Sequence, residues 1–474
     1  MTATLAPPAA VPGTVDDHRR PRRHRVDEAV RTGSTAALWL ALLLVTYWWV
    51  AGGGLQDFGG GTTGLVSLGR LTGLVASVLL LAQVVLMSRV PPIEAAFGQD
   101  RLARIHRIVG FTSFDLMLAH VVLITWGYAA GELTRTLGTL WDLTVDYPGM
   151  LLAVAGTLCL CLVVATSIRA ARRRIRYESW HLLHLYAYLG AGLALPHQLW
   201  TGQELTSSTG RTVFWWTAWG LAAAAALGWR VGLPVLRSLR HRLRVTSVVP
   251  EADGVVSVYL TGHRLDRLPV EAGQFCSWRF LSGPGWSRAH PYSLSAAPDG
   301  RSLRITVQVV GDGSAAVTAL RPGTRVLFEG PYGRLSARAR TRPGVVLIGA
   351  GVGTAPLRAL AEGLAYAPGD AVYVERYTAA PLFAEEVDTL ARERGLRVLR
   401  LPGHRRAPDS WLGAGPDGDL GGVSDLDALR TWIPDLADRD VFVCGPDGWT
   451  DLVRRDLAAA GLPADRLHLE TFGW

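Results

Sequence analysis

The chain has 474 residues, too many for one compact core and enough for two or three domains. It is 49% hydrophobic with a formal net charge of +8, and all 48 of its basic residues are arginine. The arginines cluster at the ends of apolar runs, where membrane topology accounts for them, so the charge is no argument for a nucleic-acid partner. Four cysteines, Cys159, Cys161, Cys276 and Cys444, show neither CxxC nor zinc spacing. That argues against a four-cysteine iron–sulfur cluster, and no disulfide is expected.

Residues 1–34 are rich in Pro, Ala and Arg and read as a disordered cytoplasmic tail, not a cleavable signal peptide. Six apolar stretches then approach the length a membrane helix needs, near 35–52, 65–88, 105–129, 149–168, 179–199 and 212–234. The connections after the second, fourth and sixth carry Arg89, Arg101 and Arg104; Arg169, Arg172, Arg173, Arg174 and Arg176; and Arg237, Arg240, Arg242 and Arg244. The other three connections are short and poor in Arg. This asymmetry predicts a six-span bundle over 35–235, multi-pass in the plasma membrane, with the bilayer as partner and both termini cytoplasmic. Beyond 240 the texture changes to short alternating strands (VVSVYL, FCSWRF, SLRITVQVV, RVLFEG), which predict an antiparallel β-barrel over 240–340. From 343 to 474, apolar strands (GVVLIGAG, AVYVERY, LRVLRL, DVFVCGP) alternate with helical patterns and predict a parallel α/β sheet.

Histidines are costly in lipid unless something binds them. The third span holds His106 and His120, fourteen residues apart. That is about four turns, about 21 Å of rise, with both rings on one face. The fifth span offers His184 and His197, thirteen residues apart. Their depth spacing matches, at about 19.5 Å; their azimuth is off by about 140°, which Pro196 can correct by kinking the helix. With both termini inside, the two spans run parallel. His106 then faces His184 near the cytoplasm, and His120 faces His197 near the outside. A lone membrane histidine is usually a satisfied interhelical hydrogen bond. Two matched pairs at two depths are what two bis-histidine haems require. His181 is left over as an interfacial or supporting group. Arg70, near the outer end of the second span, is either a partner for a haem propionate or a snorkelling side chain.

The six spans with these four histidines resemble the ferric reductase-like transmembrane domain shared by NADPH oxidases and ferric-chelate reductases. The resemblance implies two b-type haems held by His106, His120, His184 and His197. In the soluble half, RAHPYSLSAAP resembles the flavin motif of the ferredoxin reductase superfamily, with His290-Pro291-Tyr292-Ser293 as in its membrane-bound branch. The resemblance implies that Tyr292 packs on FAD, that Ser293 hydrogen-bonds near its reactive nitrogen, and that Leu294 and Ser295 supply backbone contacts. VVGDGSAAV, with Gly311, Gly313 and Ser314 before a helical pattern, matches the family's flavin pyrophosphate site. VVLIGAGVGTAPLRAL is a strand, a glycine turn and a helix. Its Gly349, Gly351, Gly353, Thr354 and Pro356 resemble the nicotinamide site. Cys444-Gly445-Pro446 lies beside the nicotinamide in that family, and Phe472 resembles the aromatic that covers the flavin, with Trp474 as a competitor. Arg376 ends the second strand of the α/β domain, with Arg405 and Arg406 in a nearby loop. An arginine at that strand end favours a 2′-phosphate, hence NADPH, with NADH possible.

The function implied is electron transfer from cytoplasmic NADPH through FAD and two haems to an external acceptor: ferric chelate, oxygen or quinone. Ser293, Cys444 and Phe472 would lie at the reacting centre. Oxygen-reducing relatives often carry a histidine one turn beyond the outer ligand of the third span; here that residue is Ile124. The rival class is a six-span transporter or channel with a regulatory nucleotide module. Transporters tend to carry inverted repeats and helices broken at mid-membrane, and the sequence shows no repeat.

Overall fold

A computed structural model describes residues 20–172, 174–175, 177–414 and 422–471. Residues from Asp27 to Leu233 form one compact unit, and those from Pro234 onward form the body of a second.

The first unit is helical throughout. Its elements are α1 (Arg20–Ala51), α2 (Gly61–Met87), the short α3 (Pro91–Phe97), α4 (Gln99–Tyr128), α5 (Leu133–Asp146), α6 (Met150–Ser167), the short α7 (Arg169–Arg172), α8 (Tyr177–Trp200), the short α9 (Gln203–Thr206) and α10 (Thr209–Ala225). A π-helical segment carries α10 into α11 (Leu233–His241). Helices suit this region because every backbone polar group is satisfied within the element, as lipid demands. Among the described residues five helices are long and apolar enough to cross a membrane: Arg25–Ala51, Gly61–Met87, Arg101–Tyr128, Met150–Ser167 and Thr209–His241. The expected fifth span is α8, 24 residues long. It is not among the five, because its histidines and tyrosines lower its hydropathy. Large apolar side chains such as Leu40, Leu43, Val122, Leu158, Leu182 and Leu221 stay exposed, as expected where lipid is the solvent.

Two expectations are corrected here. The tail expected to be disordered as far as residue 34 is helical from Arg20, and residues 1–19 lie outside the described part. The early turns of α1 are held by tertiary contacts: Arg31 Nε donates to the Ala96 carbonyl at 2.6 Å, and Val30 packs on the Ala96–Phe97–Leu102 cluster. The connection between α4 and α6 is no simple short loop. It contains α5, an amphipathic helix with Leu133, Leu137, Trp141 and Val145 exposed four residues apart. Helix α8 contains Pro196 and runs on to Trp200.

Helix α2 packs along α4, and α6 along α8. Small residues make both approaches close. A Cβ at Gly69 would lie 2.9 Å from Ile124 of α4, and one at Gly156 would lie 2.7 Å from the Gly190 carbonyl of α8. The two histidine-bearing helices, α4 and α8, each have their own supporting helix and do not pack closely along each other.

The second unit begins with two three-stranded antiparallel sheets. One has the order β1 (Arg244–Ala252), β2 (Val255–Thr261), β5 (Ser302–Gln308); the other has β4 (His290–Ser293), β3 (Phe275–Phe280), β6 (Val326–Tyr332). Single bridges at Leu294–Ile305 and Arg244–Arg325 connect them. Trp278, Phe328, Leu260 and Ile305 fill the space between the sheets. A short helix, α12 (Asp312–Thr318), follows β5.

A five-stranded parallel sheet comes next, from β7 (Val345–Ala350), β8 (Ala371–Tyr377), β9 (Arg397–Pro402), β10 (Asp440–Gly445) and β11 (Leu467–Thr471), in the order β11-β10-β7-β8-β9. Its strands read as nearly continuous apolar runs because both faces are covered. Helices α13 (Thr354–Gly363) and α14 (Ala384–Arg394) cover one face; α15 (Asp425–Trp432) and α16 (Asp447–Ala459) cover the other.

Candidate functional site

Two of the four histidines are in ring contact, and the other two interact at longer range. His106 and His184 face each other edge to face with ring centres 6.0 Å apart. His120 and His197 lie within electrostatic range of each other. His181, one turn before His184, is likewise within range of it. The equal order of the pairs means that α4 and α8 run parallel.

Three of the four rings are oriented through Nδ1. His120 Nδ1 donates to the Gly69 carbonyl at 2.8 Å, and His197 Nδ1 to the Ala194 carbonyl at 2.6 Å. A carbonyl only accepts, so both rings carry their proton on Nδ1 and present a bare Nε2 to a metal. Ser167 plays the same part for His184. Its hydroxyl proton goes to the Val163 carbonyl at 2.6 Å, and its oxygen accepts from His184 Nδ1 at 3.4 Å and from Trp180 Nε1 at 3.3 Å. Nδ1 of His106 is buried, with the backbone of Gln83 facing it beyond hydrogen-bonding reach.

A haem fits this donor set. A metal–imidazole bond of about 2 Å, plus about 1 Å from nitrogen to ring centre, separates two imidazoles on one metal by about 6 Å; the rings of His106 and His184 stand 6.0 Å apart. Among the described residues no group of three or more His, Cys, Asp or Glu is placed to hold a metal ion. Paired ligands without a third suit an iron whose other ligands come from a macrocycle.

Sequence reasoning missed the backbone that makes room for His120. A Cβ at Gly73 would lie 2.6 Å from His120 Nδ1, so only glycine fits there. The signal was present in LGRLTGL, where Gly69 and Gly73 are one turn apart. We expect Gly73→Val to displace the ring and lower the bound haem per chain by about half, as losing one ligand pair should; the absorbance ratio of haem to protein measures it. Arg70, next to Gly69, is not simply waiting for a propionate: its guanidinium pairs with Asp57 at 2.7 Å. Ile124, at the position of the relatives' extra histidine, packs on Gly69. Near His197, whose backbone presses on Gly149, lies a groove of about 430 Å³ lined by Asp146, Tyr147, Leu151 and Trp200 among others.

In the second unit, strand β4 is the HPYS motif itself. Its Tyr292 and Ser293 pair in register with Cys276 and Phe275, and Pro291 with Ser277. His290 and Tyr292, two apart and so on one face, stack with ring centres 6.0 Å apart. Trp278 Nε1 donates to the Tyr292 carbonyl at 2.9 Å, and burial pushes the Tyr292 phenol up to about 12. The glycine loop is brought to the same place, since a Cβ at Gly313 would lie 2.5 Å from the His290 ring.

Three residues expected to touch the flavin are otherwise engaged. The Ser314 hydroxyl accepts from the N–H groups of Val310 and Gly311 at 2.9 and 3.1 Å and donates to the Gly311 carbonyl, so it closes its own turn. The N–H of Leu294 goes to Gln274 and that of Ser295 to Arg304. Neither donor is left for a ligand, because the chain here bridges the two sheets. Ser293 is buried next to them.

The nicotinamide motifs gather at the carboxyl edge of the parallel sheet. Cys444 is in register with Gly349 on one side and Glu470 on the other. The glycines divide by task. Cβ atoms at Gly349 and Gly353 would strike Leu357 and the Cys444 carbonyl, at 2.8 and 2.4 Å, so these two serve packing. Gly351, at φ +56° with open space beside it, is the one that leaves backbone accessible to a phosphate. Thr354 Oγ1 donates to the Gly351 carbonyl at 2.7 Å, and Thr354 and Pro356 are buried in the first turn of α13.

Cys444, expected at the reacting centre, is fully buried, and burial together with Glu470 raises its thiol well above the ordinary range. It is a packing residue there, and Gly445 and Pro446 form the strand end. Glu470, which sequence reasoning passed over, would lie 2.6 Å from a Cβ at Gly333, a point 3.1 Å from Phe275. Since Phe275 pairs with Ser293, the ends of the flavin and nicotinamide motifs converge. Phe472 and Trp474 lie outside the described residues.

Arg376 closes β8. Its Nη2 donates to the Gly403 carbonyl at 3.2 Å, while its buried Nε has no hydrogen-bond partner. Burial first, and then Arg405, lowers its pKa. Arg406 is instead held by Asp425 at 2.5 Å and by Ser410, and Glu375 by Arg400. Of the three arginines, Arg376 and Arg405 donate to the backbone carbonyls of Gly403 and Pro408 and, among the described residues, have no carboxylate partner.

Fold and site together describe a helical membrane bundle with paired internal histidines, followed by a two-part nucleotide-binding reductase module. A family model for the ferric reductase like transmembrane component matches residues 72–195. The chain is 31% identical over 265 residues to a flavohemoprotein of Deinococcus radiodurans, covering 52% of this chain and 60% of that one. It is 33% identical over 246 residues to the ferredoxin–NAD(+) reductase component of the alkene monooxygenase system of Xanthobacter autotrophicus, covering 49% and 70%. The solved FAD/NAD-binding domain of nitric oxide dioxygenase from Vibrio cholerae aligns at 25% identity with a TM-score of 0.38, over 49% of this chain and 99% of that one. The chain carries a ferric reductase-like transmembrane domain, matched over residues 72–195, and a ferredoxin reductase-type FAD/NAD-binding domain.

Proposed function

We propose that this chain is a multi-pass plasma-membrane oxidoreductase, both termini cytoplasmic, that passes electrons from NADPH to an external acceptor, a ferric chelate or oxygen. When bound, FAD takes a hydride from NADPH and releases its electrons singly, and two b-type haems carry them across the bilayer. The observation that supports this reading is the ring contact of His106 with His184, together with the anchoring of the His120, His184 and His197 rings through Nδ1. His106 with His184, and His120 with His197, would each hold one iron through Nε2. The backbone carbonyls of Gly69 and Ala194 fix ring orientation and raise ligand basicity. His290, Tyr292 and Ser293 would receive the flavin ring, and the Gly311–Gly313 loop its phosphates. Gly351 would approach the nicotinamide nucleotide's pyrophosphate, and Arg376 with Arg405 its 2′-phosphate. The groove beside His197 gives an external acceptor a place to come close. Ile124 offers no hydrogen bond to bound oxygen, which favours a ferric chelate.

The test is an anaerobic absorption spectrum during NADPH addition, followed by separate exposure to air, ferric citrate and a soluble quinone. Reduced bis-histidine haem bands, bleached fastest by ferric citrate, are the expected result; absence of haem bands would refute the reading. For the nucleotide, Arg376→Ala should raise the half-saturating NADPH concentration about tenfold, roughly 1.4 kcal/mol, and leave that for NADH unchanged. Steady-state titration with both nucleotides checks it.

A further inference from the structure

A buried ionic cluster joins the flavin strand to the nicotinamide helix. Arg304, on β5, is buried, and its Nη1 and Nη2 donate to the two carboxylate oxygens of Glu386 on α14 at 2.7 and 2.9 Å. Its Nε donates to the Ser295 hydroxyl at 3.1 Å and Nη2 also to the Ser295 carbonyl at 2.7 Å. Arg358, on α13, donates to that same carbonyl at 3.2 Å, and pairs with Glu386 at 2.6 Å and with Glu362 at 2.5 Å. Glu362 in turn accepts the N–H of Ala297 at 2.6 Å. The ring of Phe383 flanks the Arg304 guanidinium at 5.0 Å and that of Tyr259 at 5.8 Å.

Position in the chain gives the cluster its meaning. Ser295 lies two residues beyond Ser293 of HPYS, and Arg358 lies one helical turn beyond Thr354 of the glycine turn. Two buried guanidiniums and a shared carboxylate are expensive to desolvate, and an apolar contact of the same size would hold the two parts together as well. An apolar contact, however, is non-directional and lets its partners slide. A bidentate arginine–carboxylate pair fixes both separation and angle.

We propose that Arg304 and Arg358 are positioning residues, which lock the end of the flavin strand to the start of α13 so that flavin and nicotinamide meet at a fixed separation. The proposal rests on the flavin and nicotinamide reading given above.

The experiment compares wild type with Arg304→Gln, Arg304→Lys and Glu386→Gln as full-length protein in nanodiscs. Flavin reduction at saturating NADPH should slow about 10- to 100-fold in the two Gln variants, the size of effect a misplacement of about 1 Å produces. FAD content and half-saturating NADPH should change by less than about twofold, and a primary deuterium isotope effect should grow as hydride transfer becomes limiting. Arg304→Lys should fall between, since it keeps the charge and loses the fork. Independently of turnover, hydrogen–deuterium exchange of the cofactor-free protein should rise together at 295–297 and 354–363. A lowered melting temperature with unchanged flavin reduction and unchanged exchange would reduce the cluster to a structural brace and overturn the proposal. If Arg304→Gln does not fold, Glu386→Gln carries the test, because the Glu386 side chain is 34% exposed. Wild type that binds FAD and NADPH but is not reduced would sink the underlying reading, and the exchange arm would still decide the linkage.

Discussion

Replacing His120 by alanine is expected to remove half of the bound haem and to cut reduction of external ferric citrate at least about 100-fold. Flavin reduction by NADPH should be unaffected. The size follows from what the ring does. Loss of a partner behind a ligand typically costs about 10- to 100-fold in metal affinity or activity, and here the ligand itself goes. The variant also leaves the Gly69 carbonyl without its 2.8 Å donor. The reductase module should be indifferent, because its flavin and nicotinamide motifs belong to a different compact unit from α4. The measurements are haem absorbance per protein, ferric citrate reduction on the external face of proteoliposomes, and anaerobic flavin bleaching. Full haem content with intact external reduction would falsify the ligand assignment.

Asp440→Ala should lower the unfolding free energy by about 3 kcal/mol, seen as a fall of about 10 °C in the calorimetric melting of the nucleotide module. Asp440 is fully buried at the start of β10, and four groups converge on its carboxylate. His468 Nε2 donates at 2.9 Å, the N–H groups of Thr341 and Arg342 each at 2.5 Å, and the Thr341 hydroxyl at 3.2 Å. Alanine strands those donors in a dry interior and frees the segment that leads into β7. Burial alone would raise the Asp440 pKa; the hydrogen bonds from His468, Thr341 and Arg342 outweigh it and hold the carboxyl below its ordinary range. A depressed folded-state pKa means a contribution fully present above the unfolded value, about 3.9, and lost as pH falls through the folded one. The difference in melting temperature between wild type and variant should therefore be constant from neutral pH to about 5 and shrink below about 4. A gap that persists unchanged at the lowest pH would show that the carboxylate charge is not what stabilises the strand.

Much of the candidate site was legible because its signals are periodic. The fourteen- and thirteen-residue spacings of the histidines convert directly into depth; the ring of His106 stands 6.0 Å from that of His184, and His197 lies within electrostatic range of His120. The strands of the reductase module were legible for the same reason: VVSVYL, FCSWRF, AVYVERY and DVFVCG all lie in strands. The azimuth of His197 was not legible from spacing alone, since thirteen residues of an ideal helix miss it and Pro196 lies inside α8 just before it. The start of α1 was also missed. Its polar first turns look unstructured by composition, and contacts such as that of Arg31 with the Ala96 carbonyl, sixty-five residues away, hold them in the helix.

By itself, then, the sequence determined which residues lie in apolar helices and which in strands, because burial pattern and residue type are local properties. Only the tertiary structure decided what each group is bound to. Gly69 and Gly73 proved to be the seat of His120, Gly349 and Gly353 proved to be packing positions, and Gly351 alone was left open. Leu294 and Ser295 spend their N–H groups within the fold. Arg304 meets Glu386 across eighty-two residues of chain. A hydrogen bond or ion pair is made by whichever partner the folded chain brings within about 3 Å in the right direction, and no spacing along the sequence contains that choice.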